Sequence, residues 1–574
     1  MTARPFDVRT VTTWDGAALS YRAWLPRAAS GKALLLLHRG HEHGARWQSV
    51  VDELALDDLA IFAWDARGHG RSSGERGSAE SVAALVKDLD VFASHITAEY
   101  GIAADNMIVM AHSVGAVIAT AWVHDYAPPL RALVLATPAF RVKLYVPGAI
   151  ALLRLRQRLS GGGVVKSYVK ARLLTHDAEE VVRYERDPLI FRQIAVNMLL
   201  DLHDTSSRIV ADAGAIHTPT LVLSAGADWV VRLDAQQQFF NALSSPTKEM
   251  HVYPGLFHAI FHERERQAPV ATARQFICQR FADTSVPPAL MRIRSERYTK
   301  AEHDRLLAPG RWRYIALRWV LKTAGRLSAG IRLGWRTGFD SGATLDYVYE
   351  NRPRGITLIG RLIDRAFLTS IGWRGIRQRR VHLARMLRDA CTQQRGRGPV
   401  HVVDIAAGPG RYVLDALQSQ PHPVTALLRD ARPENIEAGR QLAEHLGVRG
   451  VTFAQGDAFD GASLAAIRPR PAIAVVSGLY ELFPDNAPVM TSLRGLAAAV
   501  EPGGLLVYTN QPWHPQLEFI ARTLTNREGK PWIMRRRTQA EMDALVHEAG
   551  FRKVSMEIDR WGIFTVSLAE RVAS

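Results

Sequence analysis

The sequence has little cysteine and no long apolar run. Its 574 residues include two cysteines, Cys278 and Cys391, without C-x-x-C spacing, which argues against a disulfide framework or a zinc site. No run of about 18 apolar residues occurs, and residues 1–10 carry no apolar signal core. We therefore expect a cytoplasmic chain without a membrane-spanning helix, and no metal site.

Repeats and low-complexity tracts are absent too, and the composition is that of a globular protein. Hydrophobic residues make up 47% and charged residues 22%, which excludes wholesale disorder or a fibrous repeat. At about 100 to 200 residues per domain, this length predicts two or more folded cores.

Acidic residues are scarce in one segment. Residues 286–400 hold 24 Lys and Arg against 8 Asp and Glu, a net charge of +16 that equals the charge of the whole chain. The rest of the chain is therefore balanced. The positive field belongs to this one stretch, where it would attract anionic surfaces.

Short apolar runs alternate with helical segments in two series, which predicts two α/β folds with parallel sheets. The first series has runs at 33–37, 60–64, 107–111, 130–136 and 220–224. The second has runs at 400–405, 424–428, 451–454, 472–476 and 505–508.

These series divide the chain into three predicted parts. Residues 1–283 form the first α/β domain, with a helical cap over about 141–212. Pro287 and Pro288 mark a linker. A linker and basic helical lead-in occupy 284–399, and a doubly wound, Rossmann-like domain occupies 400–574.

A serine at a strand-to-helix junction is the first candidate for chemistry. The apolar run 107–111 leads through Ser113 into a helix of small residues, which is the setting of a nucleophile elbow. Asp228 and His258 follow later strands, in the chain order Ser, Asp, His that an α/β-hydrolase uses. The pattern predicts an α/β-hydrolase fold with a catalytic triad.

In that triad His258 would take the Ser113 proton and Asp228 would hold the imidazole tautomer. Backbone amides would stabilise the oxyanion. We predict these donors to be Val114, directly after the nucleophile, and Gly40, in the loop that follows the run 33–37.

Four segments carry a specific resemblance, namely residues 38–47, 64–77, 111–115 and 253–258. Together they resemble the monoacylglycerol lipase and serine-aminopeptidase-like group of α/β-hydrolases over about residues 10–280. The resemblance implies an esterase acting on glycerol or lysophospholipid esters. Arg39 stands where that group usually has glycine. The alternatives are a strand-helix corner without chemistry and an inactive relative, and His112, His262 and Asp234 are weaker triad candidates.

The cap carries leucines and arginines at helical spacing. Leu152, Leu153, Leu155 and Leu159 alternate with Arg154, Arg156 and Arg158, a mixture suited to an acyl chain with an anionic head. An ordinary packed helix face with solvated arginines is the alternative.

A glycine turn follows the first strand of the second series. Gly408 and Gly410 would let the backbone approach a nucleotide-like ligand closely, and Asp430 after the next strand could accept ribose hydroxyls. Asp457 could accept an adenine amino group beside an apolar cover. Val413 stands where a dinucleotide fingerprint has its last glycine, which disfavours NAD.

This set resembles class I S-adenosylmethionine-dependent methyltransferases over residues 400–570. The resemblance implies S-adenosyl-L-methionine as the cofactor, bound by Asp404, Ala406, Gly408, Gly410, Asp430, Asp457, Ala458, Phe459 and Ser477. Tyr480 and Glu481, after the fourth strand, are candidates for contact with the methyl acceptor. They could equally be a helix start with a solvated carboxylate.

The basic segment mixes aromatic, aliphatic and cationic residues over 311–336. Such a helix could lie on anionic lipid, or it could cover the methyltransferase core. Nucleic-acid binding stays open on charge, although no nucleic-acid motif occurs. Residues 338–377 resemble the helical lead-in of a bacterial methyltransferase family found fused to such hydrolases.

The sequence thus predicts a bifunctional enzyme, a serine hydrolase of a lipid-like acyl ester joined to a methyltransferase of unknown acceptor. Two alternatives remain open. One is an active hydrolase with a degenerate structural or ligand-binding C-terminal domain. The other is a nucleic-acid methyltransferase with an accessory hydrolase.

Overall fold

The chain divides after Arg294 into two units, Met1–Arg294 and Ser295–Ser574. The structure is a computed structural model that describes residues 3–283, 288–310, 312–418, 420 and 424–572. The linker predicted at Pro287 lies outside the described residues, and Pro288 begins a helix. Residues 295–399, predicted as a connector, belong to the same unit as the C-terminal sheet.

The first unit is built on an eight-stranded sheet in the order β1-β2-β4-β3-β5-β6-β9-β10. Its strands are β1 Asp7–Thr12, β2 Ala18–Trp24, β3 Ala33–Leu37, β4 Ala60–Trp64, β5 Met107–His112, β6 Ala132–Ala136, β9 Thr220–Ala225 and β10 Lys248–Tyr253. β3 to β6, β9 and β10 pair in parallel, whereas β1 and β2 are antiparallel. The central strands are buried along their whole length because both faces are covered.

The helices of this unit fall into a framework and a cap. The framework helices are α1 Gln48–Leu54, α2 Val82–Tyr100, α3 Val114–Tyr126, α7 Leu233–Ala242 and α8 Gln267–Ala282. The cap lies between β6 and β9 and contains α4 Ala149–Ser160, β7 Val164–Lys166, α5 Ala178–Arg186, β8 Gln193–Ala195 and α6 Val196–Ala211. The insertion predicted over 141–212 therefore has secondary structure of its own.

The second unit contains a seven-stranded sheet in the order β13-β12-β11-β14-β15-β17-β16. Its strands are β11 His401–Asp404, β12 Thr425–Asp430, β13 Val451–Gln455, β14 Ile473–Val476, β15 Leu505–Asn510, β16 Phe551–Ile558 and β17 Thr565–Arg571. The first five are parallel, and β17 inserts antiparallel beside β15. The order reverses between β11 and β14, and ligands of open α/β sheets bind at such a switch point.

Helices precede and flank this sheet. The lead-in helices are α9 Pro288–Leu307, α10 Trp312–Lys322, α11 Ala329–Thr337, α12 Gly342–Glu350, α13 Leu358–Leu368 and α14 Ile371–Gln394. The later helices are α15 Arg411–Gln418, α16 Pro433–Leu446, α17 Gly461–Ala465, α18 Asn486–Ala499, α19 Leu517–Thr523 and α20 Gln539–Glu548. Three lead-in helices, α11 to α13, begin at Ser328, Ser341 and Thr357, whose hydroxyl groups accept hydrogen bonds from first-turn amides.

The fold class predicted from the sequence is confirmed in both halves of the chain. The lead-in helices are part of the second unit because Ile331, Phe339, Trp373 and Ile376 share one apolar core with Trp532 and other late residues. Within the described residues, no helix is long and apolar enough to cross a membrane.

Candidate functional sites

Ser113 occupies a sharp turn between β5 and α3. Its backbone has φ 56° and ψ −113°, a strained conformation for a residue with a side chain. The turn packs closely against the neighbouring loop, since a Cβ on Gly115 would lie 2.6 Å from the carbonyl oxygen of His38. Glycine at 115 therefore lets the hydroxyl of Ser113 stand at the carboxyl edge of the sheet.

The three triad candidates meet at this edge. The Ser113 hydroxyl donates to His258 Nε2 at 2.8 Å, and His258 Nδ1 donates to Asp228 Oδ2 at 2.8 Å. Asp228 Oδ1 accepts from the amides of Val230 and Val231 at 2.7 and 2.9 Å. All three catalytic candidates are buried. Loops that are distant in the sequence thus form one continuous hydrogen-bonded chain.

The surroundings of Asp228 and His112 lower the pKa of each group. Burial raises the pKa of Asp228, but the imidazole of His258 and two backbone amides outweigh that effect and keep the pKa below its ordinary value. Burial lowers the pKa of His112. Neutral His112 donates from Nε2 to the carbonyl oxygen of His258 at 2.9 Å, which helps to fix the loop that carries the base.

The alternative triad candidates lie elsewhere. Asp234 is solvent-facing and pairs with Arg232 at 2.6 Å. His262 donates to the carbonyl oxygen of Arg46 at 3.0 Å, and His112 holds the His258 backbone. Their bonds give each of them a structural role.

The proposed oxyanion donors lie next to each other. A Cβ on Gly40 would lie 3.2 Å from Val114 Cγ2, and both residues line a cavity together with Ser113 and His258. His38 fixes the loop because its Nε2 accepts from Ala66 N at 3.0 Å while Nδ1 donates to Arg39 O at 2.8 Å. Burial lowers the pKa of His38 to about 4, so this bonding pattern persists at neutral pH.

Arg39, at the position where glycine is usual, is also part of this cavity. One guanidinium nitrogen donates to Glu42 at 2.6 Å, and the group lies over the ring of Tyr184. Its Nε and Nη1 are buried without a hydrogen-bond partner among the described residues. The oxyanion loop therefore carries a buried cation with unused donors.

The cap closes an apolar cavity of about 140 Å³ over Ser113. Its walls include Leu144, Val165, Ile194, Leu199 and Leu202 from the cap. On α4, Leu152, Leu155 and Leu159 are exposed, so this helix does not present a packed apolar face there. The space beside the nucleophile suits an aliphatic chain.

A second site lies at the carboxyl edge of the other sheet. A cavity of about 540 Å³ is lined by eight of the nine predicted cofactor residues, namely Ala406, Gly408, Gly410, Asp430, Asp457, Ala458, Phe459 and Ser477. A Cβ on Gly410 would lie 2.5 Å from Leu428 Cδ1, and its φ is +74°, so the turn requires glycine. Asp430 Oδ2 accepts from Gly408 N at 2.9 Å, which joins the turn to β12.

Asp404 is the predicted cofactor residue that does not line this cavity. It is buried behind the glycine turn, where it accepts from the Tyr412 hydroxyl at 2.5 Å and from Ala406 N at 3.2 Å. Burial raises its pKa to about 7. Asp404 supports the turn from behind.

The two acceptor candidates have different surroundings. Tyr480 is buried in the core with its hydroxyl on Ser492 Oγ at 3.0 Å, and it lines neither cavity of this unit, so the acceptor-facing prediction does not fit Tyr480. Glu481 lines a cavity adjacent to the predicted cofactor site and lies 3.5 Å from Arg379. The helix-start alternative fits only partly, because a short 3-10 helix spans Tyr480–Leu482 but Glu481 is buried.

Sequence reasoning missed three consecutive buried arginines that support this loop. The backbone amide of Arg535 donates to Glu481 O at 2.9 Å, and Arg537 donates to Tyr480 O at 2.6 Å. Arg535 also pairs with Glu541 at 2.6 Å, both side chains being fully buried. Burial lowers the pKa of Arg537 to about 10. The run of three arginines at 535–537 is the only sequence signal, and it does not reveal their burial.

The lead-in helices also line the cavity of about 540 Å³, a contribution that the sequence did not predict. Leu345, Asp346 and Tyr349 of α12 line it, and Asp346 pairs with Arg411 at 2.7 Å. Among the described residues, no group of three or more His, Cys, Asp or Glu side chains is arranged to hold a metal ion.

Comparison with known proteins gives two family matches. The model described as "Putative methyltransferase" matches residues 273–571, and the model described as "Serine aminopeptidase, S33" matches residues 28–265. These matches confirm both resemblances inferred from the sequence.

Similar proteins fall into the same pattern. The Escherichia coli (strain K12) protein YnbC is 49% identical over 574 residues, which cover 98% of this chain and 97% of that protein. A monoacylglycerol lipase of Mycolicibacterium smegmatis is 27% identical over 44% of this chain and 90% of the lipase. The human monoglyceride lipase is 26% identical over 45% of this chain and 85% of that enzyme. The chain therefore belongs to the methyltransferase family whose model matches residues 273–571, and it carries a serine aminopeptidase S33-type hydrolase domain in its N-terminal half.

Proposed function

We propose that the first unit hydrolyses a single-chain acyl ester of the monoacylglycerol or lysophospholipid type. The observation that carries this proposal is the hydrogen-bonded chain from Ser113 through His258 to Asp228 beside an apolar cavity. Similarity to monoacylglycerol lipases supports the substrate class.

The reaction follows from the positions of these groups. His258 Nε2 accepts the hydroxyl proton while Ser113 Oγ attacks the ester carbonyl, and Asp228 stabilises the imidazolium that forms. The amides of Gly40 and Val114 are assigned to the oxyanion. His258 then donates its proton to the leaving alcohol. Water next attacks the acyl group with His258 as its base, the acid is released, and His258 returns the proton to Ser113 Oγ.

Arg39 refines the substrate class. Arg39 lines the cavity beside Ser113, and its buried Nε and Nη1 have no hydrogen-bond partner among the described residues. A phosphate or carboxylate oxygen in the head group would supply the missing acceptors. We therefore favour an anionic ester, such as a lysophospholipid, over neutral monoacylglycerol.

Hydrolysis of p-nitrophenyl esters of several chain lengths tests the nucleophile. Ser113→Ala should lower kcat by about 10⁴-fold or more, whereas the exposed control Ser30→Ala should match wild type. Equal rates for wild type and Ser113→Ala in folded protein would refute the assignment. Slow hydrolysis by both would favour the inactive-relative alternative.

We also propose that the second unit uses S-adenosyl-L-methionine, bound in the cavity of about 540 Å³. The donor set fits this molecule. Asp430 and Asp457 offer carboxylate oxygens at the ends of adjacent strands, Phe459 offers a ring face, and the glycine turn allows close backbone approach. When bound, the cofactor supplies an electrophilic methyl group on sulfur.

The chain's own residues align the reactants. Asp430 is oriented by Gly408 N, Arg432 N and Asn435, so its carboxylate is held rigidly at the cavity wall. Asp457 accepts from Phe459 N at 2.9 Å, which fixes the loop beneath the ring. Methyl transfer proceeds mainly by alignment, and a rigid wall of this kind supplies it.

Calorimetric titration with S-adenosyl-L-methionine tests the second proposal. Wild type should release heat, and Asp457→Ala should weaken binding by about tenfold, the loss of one good hydrogen bond. Exposed Glu437→Gln on α16 is the matched control. If folded wild-type protein releases no heat, the cofactor proposal is refuted, and the alternative of a degenerate C-terminal domain is favoured.

We further propose that the chain contacts anionic membranes from the cytoplasmic side. Eight exposed apolar residues form what we call the α10–α13 face: Trp312, Ile315, Trp319, Val320, Ile356, Leu358, Ile359 and Leu362. Both helices pack on the short 3-10 helix Ala324–Leu327. Trp312 is 80% and Leu358 is 78% exposed, which is unusual for residues of this size.

Cations flank this face. Arg313 and Lys322 on α10, and Arg361 and Arg365 on α13, are exposed. Exposed apolar and basic residues on one surface are typical of helices that lie on anionic lipid. The predicted segment 311–336 contributes only partly, since α11 is packed into the core and Arg311 lies outside the described residues.

Cys278 and Cys391 are free thiols, which supports a reducing compartment.

Vesicle flotation tests the membrane proposal. Wild type should float with vesicles containing phosphatidylglycerol but not with pure phosphatidylcholine. Trp319→Glu combined with Leu358→Glu should abolish flotation, whereas exposed Val554→Glu on β16 should not. Salt-dependent binding to RNA without vesicle binding would instead favour the nucleic-acid alternative.

A further inference from the structure

A further cavity of about 320 Å³ lies beside the cofactor site of the second unit. Its walls are mostly aliphatic and aromatic and come from the lead-in helices, from α19 and from the loops around it. Phe339, Phe367, Trp373, Phe519, Trp532 and Phe564 are its aromatic residues. A cavity of this kind binds an apolar body in preference to a polar one.

The two cavities of this unit share walls. Arg379, Gly478 and Leu482 line both of them. The guanidinium of Arg379 lies against Gly478, where a Cβ would be 3.2 Å from Nη2. If the larger cavity holds the methyl donor as proposed above, a molecule in the apolar cavity has one end beside that donor.

Three side chains of this cavity have donors that nothing satisfies. Arg379 Nε, Gln511 Nε2 and Trp532 Nε1 are buried N–H groups without a hydrogen-bond partner in the part of the chain that the structure describes. All three residues line the cavity. Leaving one buried donor unpaired is unfavourable, and three around one space indicate a ligand with oxygen acceptors.

A carboxylate lies near these donors. Glu481 lines the same cavity and is 3.5 Å from Arg379 Nη1. It offers an acceptor for an O–H group, whereas a carboxylate ligand would be repelled by it. The cavity therefore matches a hydroxyl that donates to Glu481 and accepts from the surrounding N–H groups.

We propose that this cavity binds the methyl acceptor, and that the acceptor is a hydroxylated lipid, an alcohol or phenol with a large apolar body. This inference rests on the proposed use of S-adenosyl-L-methionine. An O–CH₃ bond forms as the S–CH₃ bond breaks, its electron pair returns to sulfur, and the hydroxyl proton passes to Glu481 and then to solvent. No further reactant is needed.

The same helices point to where the lipid comes from. Leu321 of α10 and Ile363 and Phe367 of α13 line the cavity, while the α10–α13 face exposes the other sides of these helices. Apolar acceptors concentrate in bilayers. Docking through this face would place the cavity walls next to the acceptor's source.

Binding of pentadecylphenol to the full chain tests the proposal without requiring turnover. Tryptophan fluorescence and calorimetry should both report binding, because Trp373 and Trp532 line the cavity. Gln511→Leu and Trp532→Phe, which each remove one N–H donor, should weaken binding about tenfold. The exposed control Val381→Ala on α14 should bind as wild type does.

Matched ligands sharpen the test. Pentadecylanisole lacks the O–H group and palmitic acid carries a carboxylate, so both should bind more weakly than pentadecylphenol. Binding of hexadecanol shows whether the cavity prefers an alcohol or a phenol. Failure of both hydroxylated ligands to bind to folded wild type, or stronger binding of palmitic acid, would overturn the proposal. Methyl incorporation into the bound phenol or alcohol would support it.

The outcome separates this inference from the cofactor proposal. Gln511 lines the apolar cavity but not the cofactor cavity, so Gln511→Leu should keep wild-type affinity for S-adenosyl-L-methionine if it folds, which thermal unfolding checks. Trp532 lines both cavities, so Trp532→Phe is judged on lipid binding alone. Cofactor binding with no hydroxylated-lipid binding overturns the acceptor inference alone. Lipid binding without cofactor binding overturns the cofactor assignment and with it the lipid's role as methyl acceptor, and it leaves only a lipid-binding cavity.

Discussion

The two units hold their polar groups in opposite ways. At the hydrolase site, Ser113, His258 and Asp228 are bonded to one another, and two backbone amides bond Asp228 in turn. At the apolar cavity of the other unit, Arg379, Gln511 and Trp532 keep buried donors without partners among the described residues.

The two proposed kinds of chemistry account for this difference. Acyl transfer needs a nucleophile and a base, and the protein must build both before substrate arrives. The methyl transfer proposed for the other unit would need two bound molecules in line, and cavities whose walls carry unpaired donors suit that requirement. Arg39 is the exception, because it brings unused donors into the hydrolase site as well.

The largest expected effect is on kcat of the hydrolase and comes from breaking the hydrogen bonds that link Ser113, His258 and Asp228. Asp228→Asn should lower kcat for ester hydrolysis by about 10⁴-fold, because the amide favours the wrong His258 tautomer. Steady-state kinetics measure it. Binding of S-adenosyl-L-methionine should not change.

Asp234→Asn is the matched control, since Asp234 is exposed and forms its ion pair with Arg232, away from His258. It should hydrolyse esters as wild type does. A loss of less than about tenfold in Asp228→Asn would mean that the observed chain is not the catalytic one.

The next effect concerns stability of the second unit. Arg535→Met removes a fully buried cation and leaves the buried carboxylate of Glu541 without its ion-pair partner, so it should cost about 3 to 5 kcal/mol of unfolding free energy. Hydrogen exchange of β14 and β15 during denaturant titration would report it. Arg440→Met, at an exposed position, should cost less than about 1 kcal/mol, and equal effects would contradict the structural role.

A smaller effect depends on pH. Burial raises the pKa of Asp404 to about 7 in the folded chain, above its unfolded value. This carboxyl therefore supports folding below pH about 4, and that support is lost as pH rises towards 7. Relative to wild type, Asp404→Asn should gain about 1.4 kcal/mol per pH unit across this window.

Urea unfolding of both proteins at several pH values measures that difference. The absolute stability of Asp404→Asn includes a constant cost from its bonds to Tyr412 and Ala406. A difference that does not change with pH would show that Asp404 titrates normally.

The smallest expected effect concerns Arg39, whose unused donors make the hydrolase site resemble the apolar cavity of the other unit. Arg39→Met should lower kcat/KM about tenfold for lysophospholipid and leave monoacylglycerol hydrolysis nearly unchanged, because only the anionic head group uses the free donors. Arg158→Met on the exposed cap helix is the control. An equal loss on both substrates would assign Arg39 to loop structure through Glu42.

The sequence predicted the central strands and the residues at their carboxyl ends. Continuous apolar runs mark β3, β5, β11 and β14, and polar residues directly after such strands meet at one edge. That rule led to Ser113, Asp430 and Asp457, and eight of the nine residues that the resemblance implied for the cofactor line one cavity. The bifunctional interpretation and both resemblances are confirmed by the family matches.

Other features could not be found in this way. β1 and β16 are partly exposed, so their sequences lack an apolar run. Tyr480 and Glu481 are neighbours in sequence, but the chain turns between them and buries one in the core while the other lines a cavity. The role of Arg535 depends on its bond to Thr299, which is far away in the sequence, as well as on the nearby Glu541, and a long-range bond leaves no local pattern.

The strained backbone of Ser113 lowers the folding stability of the first unit. Its positive φ costs about 1 to 3 kcal/mol relative to a relaxed residue, and the hydrogen bonds and packing around the turn must offset that cost. Glycine at 113 would relieve the strain and remove the hydroxyl together. The unit therefore gives up some thermal robustness to keep its reactive oxygen in place.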